Sequence, residues 1–307
     1  MENDRHQDMS AAITIFIYKR PENLEAIISV LREFHPAKIF LIADGPKNKS
    51  EALVVKKTRE KIESLIDWPC QVYKNYSEVN MGLKGRFKTG IDWVFSHCNK
   101  AIFIEDDCIP NYTFFEFCDE LLEKYKDDKR IMTISGNNFE FGKHQSKESY
   151  HFSLYPHVWG WATWKRAWAD YDSDISDWPL LRNTPWLRTV LGGFVISKFW
   201  KYIFDRLYKG EINTWDYQLA YASWKTGSLH IVPSINLVSN VGYGRESTNI
   251  KHKNKTLYVP ARPIHFPLIH PKQIIANKAA DRLIDNLVYV HPLGKVSLLI
   301  KSLLGIL

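Results

Sequence analysis

Four cysteines are few for a chain of 307 residues, and Cys70, Cys98, Cys108 and Cys118 form no CxxC pair. Their spacing excludes a disulfide scaffold and points to reduced thiols. No stretch approaches the roughly 18 uninterrupted apolar residues that a membrane-spanning helix needs. The opening Met1–Asp8 is polar and carries no signal-peptide core, so a cytoplasmic location is expected. There is no internal repeat, no low-complexity linker, and no Walker or GxGxxG phosphate loop. Excess charge is also missing from most of the chain. The net charge is +7, and the segment 251–307 alone supplies that excess, with nine Lys/Arg against Asp281 and Asp285. A neutral body with a basic tail argues against a nucleic-acid groove, which needs basic residues spread over the folded body.

What is present is apolar mass: 45% of the residues are hydrophobic and 14% aromatic. Such a chain can bury a large core, as one elaborated α/β domain or two fused lobes. Near-continuous apolar runs at Ala12–Tyr18, Lys38–Ala43 and Ala101–Ile104 predict buried strands, with weaker ones near Gln71–Asn75 and at Ile131–Ser135. Between them lie helical periodicities: Leu24 to Phe34 after Pro21, Ser50–Ile66, a helix through Trp93 and Phe95, and one through Phe114 to Leu122. Strands alternating with helices predict a mostly parallel sheet of right-handed βαβ units, with ligands beyond the carboxyl ends of the strands.

The central stretch is Ala101–Pro110. A short buried strand runs into Glu105, Asp106 and Asp107, and Pro110 lacks the N–H needed to continue the ladder. Three carboxylates at a buried strand end repel one another and call for a compensating cation, such as Mg²⁺ or Mn²⁺ bridged to phosphates. A solvated acidic turn is the plainer reading of the same triplet. Other polar residues fall on the same predicted edge. Arg20 suits a phosphate or a base carbonyl, or a surface helix start; Asp44 suits a nucleobase or ribose, or simply a turn before Gly45-Pro46. The Asn80–Arg86 segment sets two glycines beside Lys84 and Arg86, chemistry compatible with a diphosphate.

After Gly136 the chain turns aromatic, with Trp159, Trp161, Trp164, Trp168, Trp178, Trp186, Trp200, Trp215 and Trp224. These can stack on sugar rings, but most are read as core. Gly160 between two tryptophans suggests a turn where backbone approaches a ligand. Asp216 opens a predicted helix, where the macrodipole keeps a carboxylate ionised; it serves as a base or as a plain cap. Ile231–Val238 reads as extended, and Ser239–Asn249 as a glycine-containing lid carrying Arg245.

In their order, these pieces resemble metal-dependent nucleotide-sugar transferases of the GT-A fold, most nearly the N-acetylglucosaminyltransferase I type and its bacterial relatives. The likeness rests on the strand with Glu105-Asp106-Asp107, Pro110, Phe114-Phe115, Ile134–Asn137, Trp159-Gly160-Trp161, Trp215-Asp216 and the loop Gly242–Thr248. It implies a Rossmann-like α/β sheet flanked by helices, with an aromatic-rich acceptor lobe. A transferase domain would span 1–250, its nucleotide half about 10–138 and its acceptor half about 139–250. A basic extension, 251–307, would end in a helix. The resemblance makes Asp107 the ligand of Mn²⁺ (or Mg²⁺) and sets Asp106 on the ribose or a metal-bound water. Asp44 would face the uracil of a UDP-sugar, with Arg20 on the base and ribose side. Lys84 and Arg86 would lie near the diphosphate, and Arg245 on the departing group. Asp216 would be the base on an acceptor hydroxyl, giving inversion. A family histidine near Lys84 has no counterpart here. The acceptor would be a glycan such as a bacterial surface polysaccharide, or a lipid-linked one, with no nucleic-acid partner. Competing classes are a metal-dependent nucleotidyltransferase and a non-catalytic carbohydrate-binding protein. The tail Val296–Leu307, nearly apolar around its circumference, suits either peripheral membrane contact beside its lysines or packing on protein.

Overall fold

The computed structural model describes residues 10–144, 146–242 and 259–290. Each apolar run becomes a strand: β1 Ala12–Ile17, β2 Lys38–Ala43, β3 Gln71–Tyr76 and β4 Lys100–Glu105. The helices between them are α1 Leu24–Phe34, α2 Lys49–Leu65 and α3 Gly82–Phe95. Helix α1 shows why: Leu24, Ile27, Ile28 and Leu31 fall on one face and are fully buried against the sheet. A single 3₁₀ turn, Pro21–Asn23, precedes α1, because the proline ring fixes the backbone angle there and has no N–H to leave unpaired.

The second half continues with β5 Cys108–Pro110, α4 Thr113–Lys124, β6 Ile131–Ser135, β7 Tyr150–Ser153 and β8 Trp161–Trp164. Short helices α5 Lys165–Trp168, α6 Trp178–Leu181 and α7 Trp186–Leu191 lead to the longer α8 Phe194–Tyr208 and α9 Asp216–Thr226. The described residues close with β9 Leu229–Pro233, β10 Val238–Asn240 and α10 Lys278–Ile284.

Eight strands form one sheet in the order β3-β2-β1-β4-β8-β6-β9-β7. Strands β1 to β4 run parallel, β6 and β9 run parallel to each other, and β8 and β7 run against their neighbours. The mostly parallel α/β sheet flanked by helices is therefore as expected. Three details differ from the reading of the sequence. Strands β7 and β8 are antiparallel insertions into a sheet expected to grow by βαβ units. Pro110 leaves the main sheet but stays in a ladder, paired with Val238 in a separate β5–β10 ribbon at whose edge its missing N–H costs nothing. Gly160 adopts φ +63°, and its close approach is to the core: a Cβ there would lie 2.6 Å from Val238.

Two apolar cores result. One surrounds the sheet; the other is an aromatic lobe built on Tyr155, Trp178, Trp200, Phe204, Tyr221 and Trp224. As expected, Trp161, Trp164, Trp168, Trp178, Trp200, Trp215 and Trp224 are buried. Residues 259–290 pack onto both cores, Ile264 and Leu268 on the sheet, Ile284 and Val290 on the lobe. No helix of the described residues is long and apolar enough to cross a membrane. The expected terminal helix at Val296–Leu307 lies outside them.

Candidate active site

Strand order decides where the site forms. From β1 the chain winds outward through β2 to β3, then returns to place β4 on the other side of β1. Beyond the carboxyl ends of β1 and β4 the loops diverge, and that switch point opens a crevice. A cavity of about 520 Å³ lies there, bordered by Tyr18 and Arg20 after β1, Asp44 after β2, Glu105 at the end of β4, and Asp106 and Asp107 after it. From the other half, Trp159, Thr214, Asp216, Asn240 and Gly242 close it.

The acidic triplet is held from several sides. Tyr18 donates its backbone N–H to Asp106 Oδ2 at 2.8 Å, and Asn23 Nδ2 donates to the Asp106 carbonyl at 3.0 Å. Arg20 Nη1 bridges the two aspartates, 2.9 Å from Asp106 Oδ1 and 2.6 Å from Asp107 Oδ2. Strand β10 ends over Asp107: Val241 N–H donates to the Asp107 carbonyl at 2.8 Å, and a Cβ on Gly242 would sit 2.2 Å from Asp107 Oδ2. Only glycine lets the chain pass that close to the carboxylate.

Charge in this crevice is poorly balanced. Burial, then the charges of Asp107 and Asp106, pushes the Glu105 carboxyl well above the ordinary carboxylate range. Burial likewise raises Asp106 to about 6, although Arg20 pulls against it. Burial works against the Arg20 guanidinium too, but Asp107 and Asp106 outweigh it and hold the proton more firmly. Among the described residues, Arg20 is the basic side chain that pairs with the triplet. Even with Glu105 driven toward its neutral form, one guanidinium against Asp106 and Asp107 leaves negative charge for a further cation to offset. All-oxygen donors suit Mg²⁺ or Mn²⁺, and Gly242 leaves Asp107 Oδ2 uncovered by any Cβ, an oxygen the ion would share with or take from Arg20. The residues fit such an ion.

Asp216 reaches the same cavity from the aromatic side. It is the first residue of α9, and its carboxylate accepts from Thr214 Oγ1. Burial raises its pKa, with Thr214 and backbone N–H groups opposing. What fixes its position is a stack of rings under the cavity. Phe16 lies on Phe87 (centroids 4.1 Å), Phe87 on Trp215 (4.5 Å), Trp215 on Trp161 (5.2 Å) and Trp161 on Phe103 (4.8 Å). Tyr171 adds a hydrogen bond to the Trp215 carbonyl at 3.0 Å. The residue before Asp216 is thus packed against β1 and β4, which carry the acidic edge.

The structure gathers Arg20, Asp44, Arg86, Asp106, Asp107 and Asp216 around one cavity. Asp44 is fully engaged: its oxygens accept from Gly45 N, Met81 N, Gly82 N and Asn80 Nδ2 at 2.8–3.0 Å. It anchors the turn into α3, and accepting from a base would require one of those donors to yield. Arg86 donates to the carbonyl and side chain of Asn75, and its buried Nε has no partner. Lys84 is not on the cavity lining; its Nζ pairs with Asp174 at 2.7 Å. Arg245 lies outside the described residues. Sequence reading missed Asn240 and Thr214. Both sit immediately beyond an extended run or before a helix, so the rule that found Asp44 could have found them.

No protein-family model matches this chain, and no curated protein matches it. Among solved structures, a UDP-glucose pyrophosphorylase complexed with UDP-glucose is 10% identical, over 73% of this chain and 90% of that one, with TM-score 0.38. A mannosyltransferase from Pyrobaculum calidifontis in complex with GDP-Man and Mn²⁺ is 9% identical over 72% and 74%, TM-score 0.35. A 4-diphosphocytidyl-2C-methyl-D-erythritol synthase from Anaerococcus prevotii is 9% identical over 80% and 93%, TM-score 0.35. Overlaps this loose bear on neither the site nor its chemistry.

Proposed function

We propose that this protein is a glycosyltransferase that moves a sugar from a nucleoside-diphosphate donor, a UDP-sugar by preference, to an acceptor hydroxyl with inversion. The observation that carries the reading is Asp216: a half-buried carboxylate from the aromatic half lining the same cavity as the strand-end triplet. A site that only bound sugar would need neither. Asp107, with Asp106 beside it, would hold Mn²⁺ or Mg²⁺, which when bound neutralises charge building on the departing diphosphate.

The chain's own groups supply the rest. Arg20 and Arg86 bring positive charge to the donor side, Asp44 shapes the base subsite through the Asn80–Gly82 turn, and Arg245 is assigned to the leaving group. Asp216 takes the proton of the acceptor hydroxyl as its oxygen bonds to the anomeric carbon and the bond to the diphosphate oxygen breaks. Its raised pKa makes it a better base than a solvated aspartate. Trp159 at the cavity edge offers a flat apolar face to an acceptor sugar. The fold resemblance to the N-acetylglucosaminyltransferase I type belongs to this proposal, as do a glycan or lipid-linked acceptor and peripheral contact with the inner membrane face.

The test is a thermal-shift panel of nucleotides and nucleotide sugars with and without Mn²⁺, followed by Mn²⁺-dependent hydrolysis of the best donor without acceptor. Release of nucleoside diphosphate and free sugar supports the reading. Pyrophosphate released from a nucleoside triphosphate and a sugar 1-phosphate, with no such hydrolysis of the nucleotide sugar, would instead make the protein a nucleotidyltransferase, and ligand binding without turnover a carbohydrate-binding protein.

A further inference from the structure

Away from the cavity, Glu140, His144 and His151 converge where the loop after β6 meets β7. Their ligating atoms all lie within 4.8 Å of one another. His144 Nδ1 is 3.3 Å from Glu140 Oε2, and His151 Nε2 is 3.0 Å from Glu140 Oε1. We infer that these three side chains form a second metal site, for a tetrahedral divalent cation of the zinc class, with the fourth position left to solvent.

Several observations point the same way. Glu140 is 2% exposed, and no lysine or arginine among the described residues pairs with it. His151 Nε2 is 3.0 Å from its Oε1, yet no hydrogen bond of good alignment reaches that oxygen. A short contact off the hydrogen-bond line suits two groups facing a common third atom. Zinc bonds of about 2.0–2.1 Å at tetrahedral angles put neighbouring ligand atoms about 3.3 Å apart; each histidine comes this near to its own oxygen of Glu140, and a bound ion would draw the three ligand atoms, now within 4.8 Å, closer together. Two imidazoles and one carboxylate select zinc over Mg²⁺ or Mn²⁺, which prefer oxygen, so this site and the acidic cavity would take different ions. None of the three residues lines that cavity.

Asn138 holds the glutamate in place: its Oδ1 accepts from Glu140 N–H at 2.6 Å, and its Nδ2 donates to Glu140 Oε2 at 3.3 Å and to the Pro233 carbonyl at 2.8 Å. His151 is fixed on β7, and His144 is the member in touch with solvent. Asn277 couples the cluster to α10. Its Oδ1 caps the helix by accepting from Ala279 and Ala280 N–H, while its Nδ2 faces His144 Nε2 at 3.0 Å. Metal on His144 Nδ1 puts the imidazole proton on Nε2, donor against donor with that amide, so the asparagine opposes the bound form. An aspartate at 277 would still cap α10 and would accept the proton, so it should tighten the site.

The experiment is zinc titration of the full chain against a chromophoric chelator, with metal content after desalting and the visible spectrum of the Co²⁺ form. One zinc per chain is expected, retained in Asp107→Asn, with an intense tetrahedral Co²⁺ spectrum. His144→Ala, at the solvent-touching position, should weaken zinc at least tenfold, as should Glu140→Gln. Asn277→Asp should tighten it several-fold. Absence of stoichiometric zinc in the wild-type protein, or wild-type affinity in folded His144→Ala, overturns the inference. So does weaker binding in Asn277→Asp, which would mark a hydrogen-bonded cluster with adventitious surface zinc only.

Discussion

The two halves of the sheet are built on different principles. In the half made of β3, β2, β1 and β4, strands run one way, helices return the chain, and side chains such as Ile13, Ile15, Leu41 and Ile102 are fully buried. Position there follows from topology, since every strand delivers its last residue to the same edge. In the half made of β8, β6, β9 and β7, strands are four or five residues long, two run backwards, and several buried side chains are polar, including Thr133, His151, Ser153 and His230. Stability there leans on a separate cluster of rings. The contrast teaches that the acidic edge is set by winding, whereas the carboxylate opposite it is set by packing.

Breaking the packed half should have the largest effect. Trp200 is fully buried against Phe204, Tyr217, Trp224 and Tyr289. Trp200→Ala should cost about 3–5 kcal/mol in urea unfolding and abolish turnover, while a nucleotide still shifts the melting of the parallel half. A comparable loss comes from the wound half without unfolding it. Asp107→Asn should abolish Mn²⁺-dependent nucleotide binding and lower kcat/KM by about a thousandfold or more, with an unchanged melting temperature in the absence of ligand. Wild-type transfer by this variant would remove the cation from the scheme.

The pH dependence of stability sharpens the comparison further. Asp281 accepts from Ser153 Oγ at 2.6 Å, joining α10 to β7, and burial raises its pKa from 3.8 to about 7. Folding therefore takes up a proton between those values. The stabilisation is complete below about pH 4, falls as pH rises to 7, and then levels off. Asp281→Asn should flatten that decline by about 2–4 kcal/mol, measured as urea midpoints from pH 4 to 8.

Smaller effects follow at the seam. Asp216→Asn should lower kcat about a hundredfold or more, about 2.7 kcal/mol, with little change in donor affinity. A parallel fall in donor affinity would make Asp216 a structural cap. The smallest effect belongs to Lys84, whose partner Asp174 is largely exposed. Lys84→Ala should change stability by less than about 1 kcal/mol and donor KM by less than about threefold. A much larger rise in KM would return Lys84 to the diphosphate.

The wound half was legible because its signals are local. Apolar runs, the proline at 21 and helical spacing from Leu24 to Leu31 gave strands and helices whose ends differ by a residue or so from those observed. Once strands are known to be parallel, Arg20, Asp44 and Asp107 fall on one edge without further information. The mixed half hid itself for a physical reason. Trp161–Trp164 carries no period that separates a strand from core, and its pairing partners, Lys100–Phe103 and Thr133–Ser135, lie far away in sequence. Glu140, His144 and His151 likewise sit at no metal-binding spacing that stands out against a loop.

Composition and pattern alone determined that this chain folds around an α/β sheet, that its tryptophans are mostly core, and that three carboxylates end a buried strand. Those properties depend on residues adjacent in sequence, where hydrophobic burial and backbone geometry act. Tertiary structure decided that Arg20 bridges Asp106 and Asp107, that Asp44 spends its oxygens on the turn into α3, and that Lys84 turns to Asp174. It also decided that Trp215, stacked between Phe87 and Trp161, brings Asp216 to the acidic edge. Hydrogen bonds and ring contacts act over a few ångströms, and only the folded chain says which residues come that near.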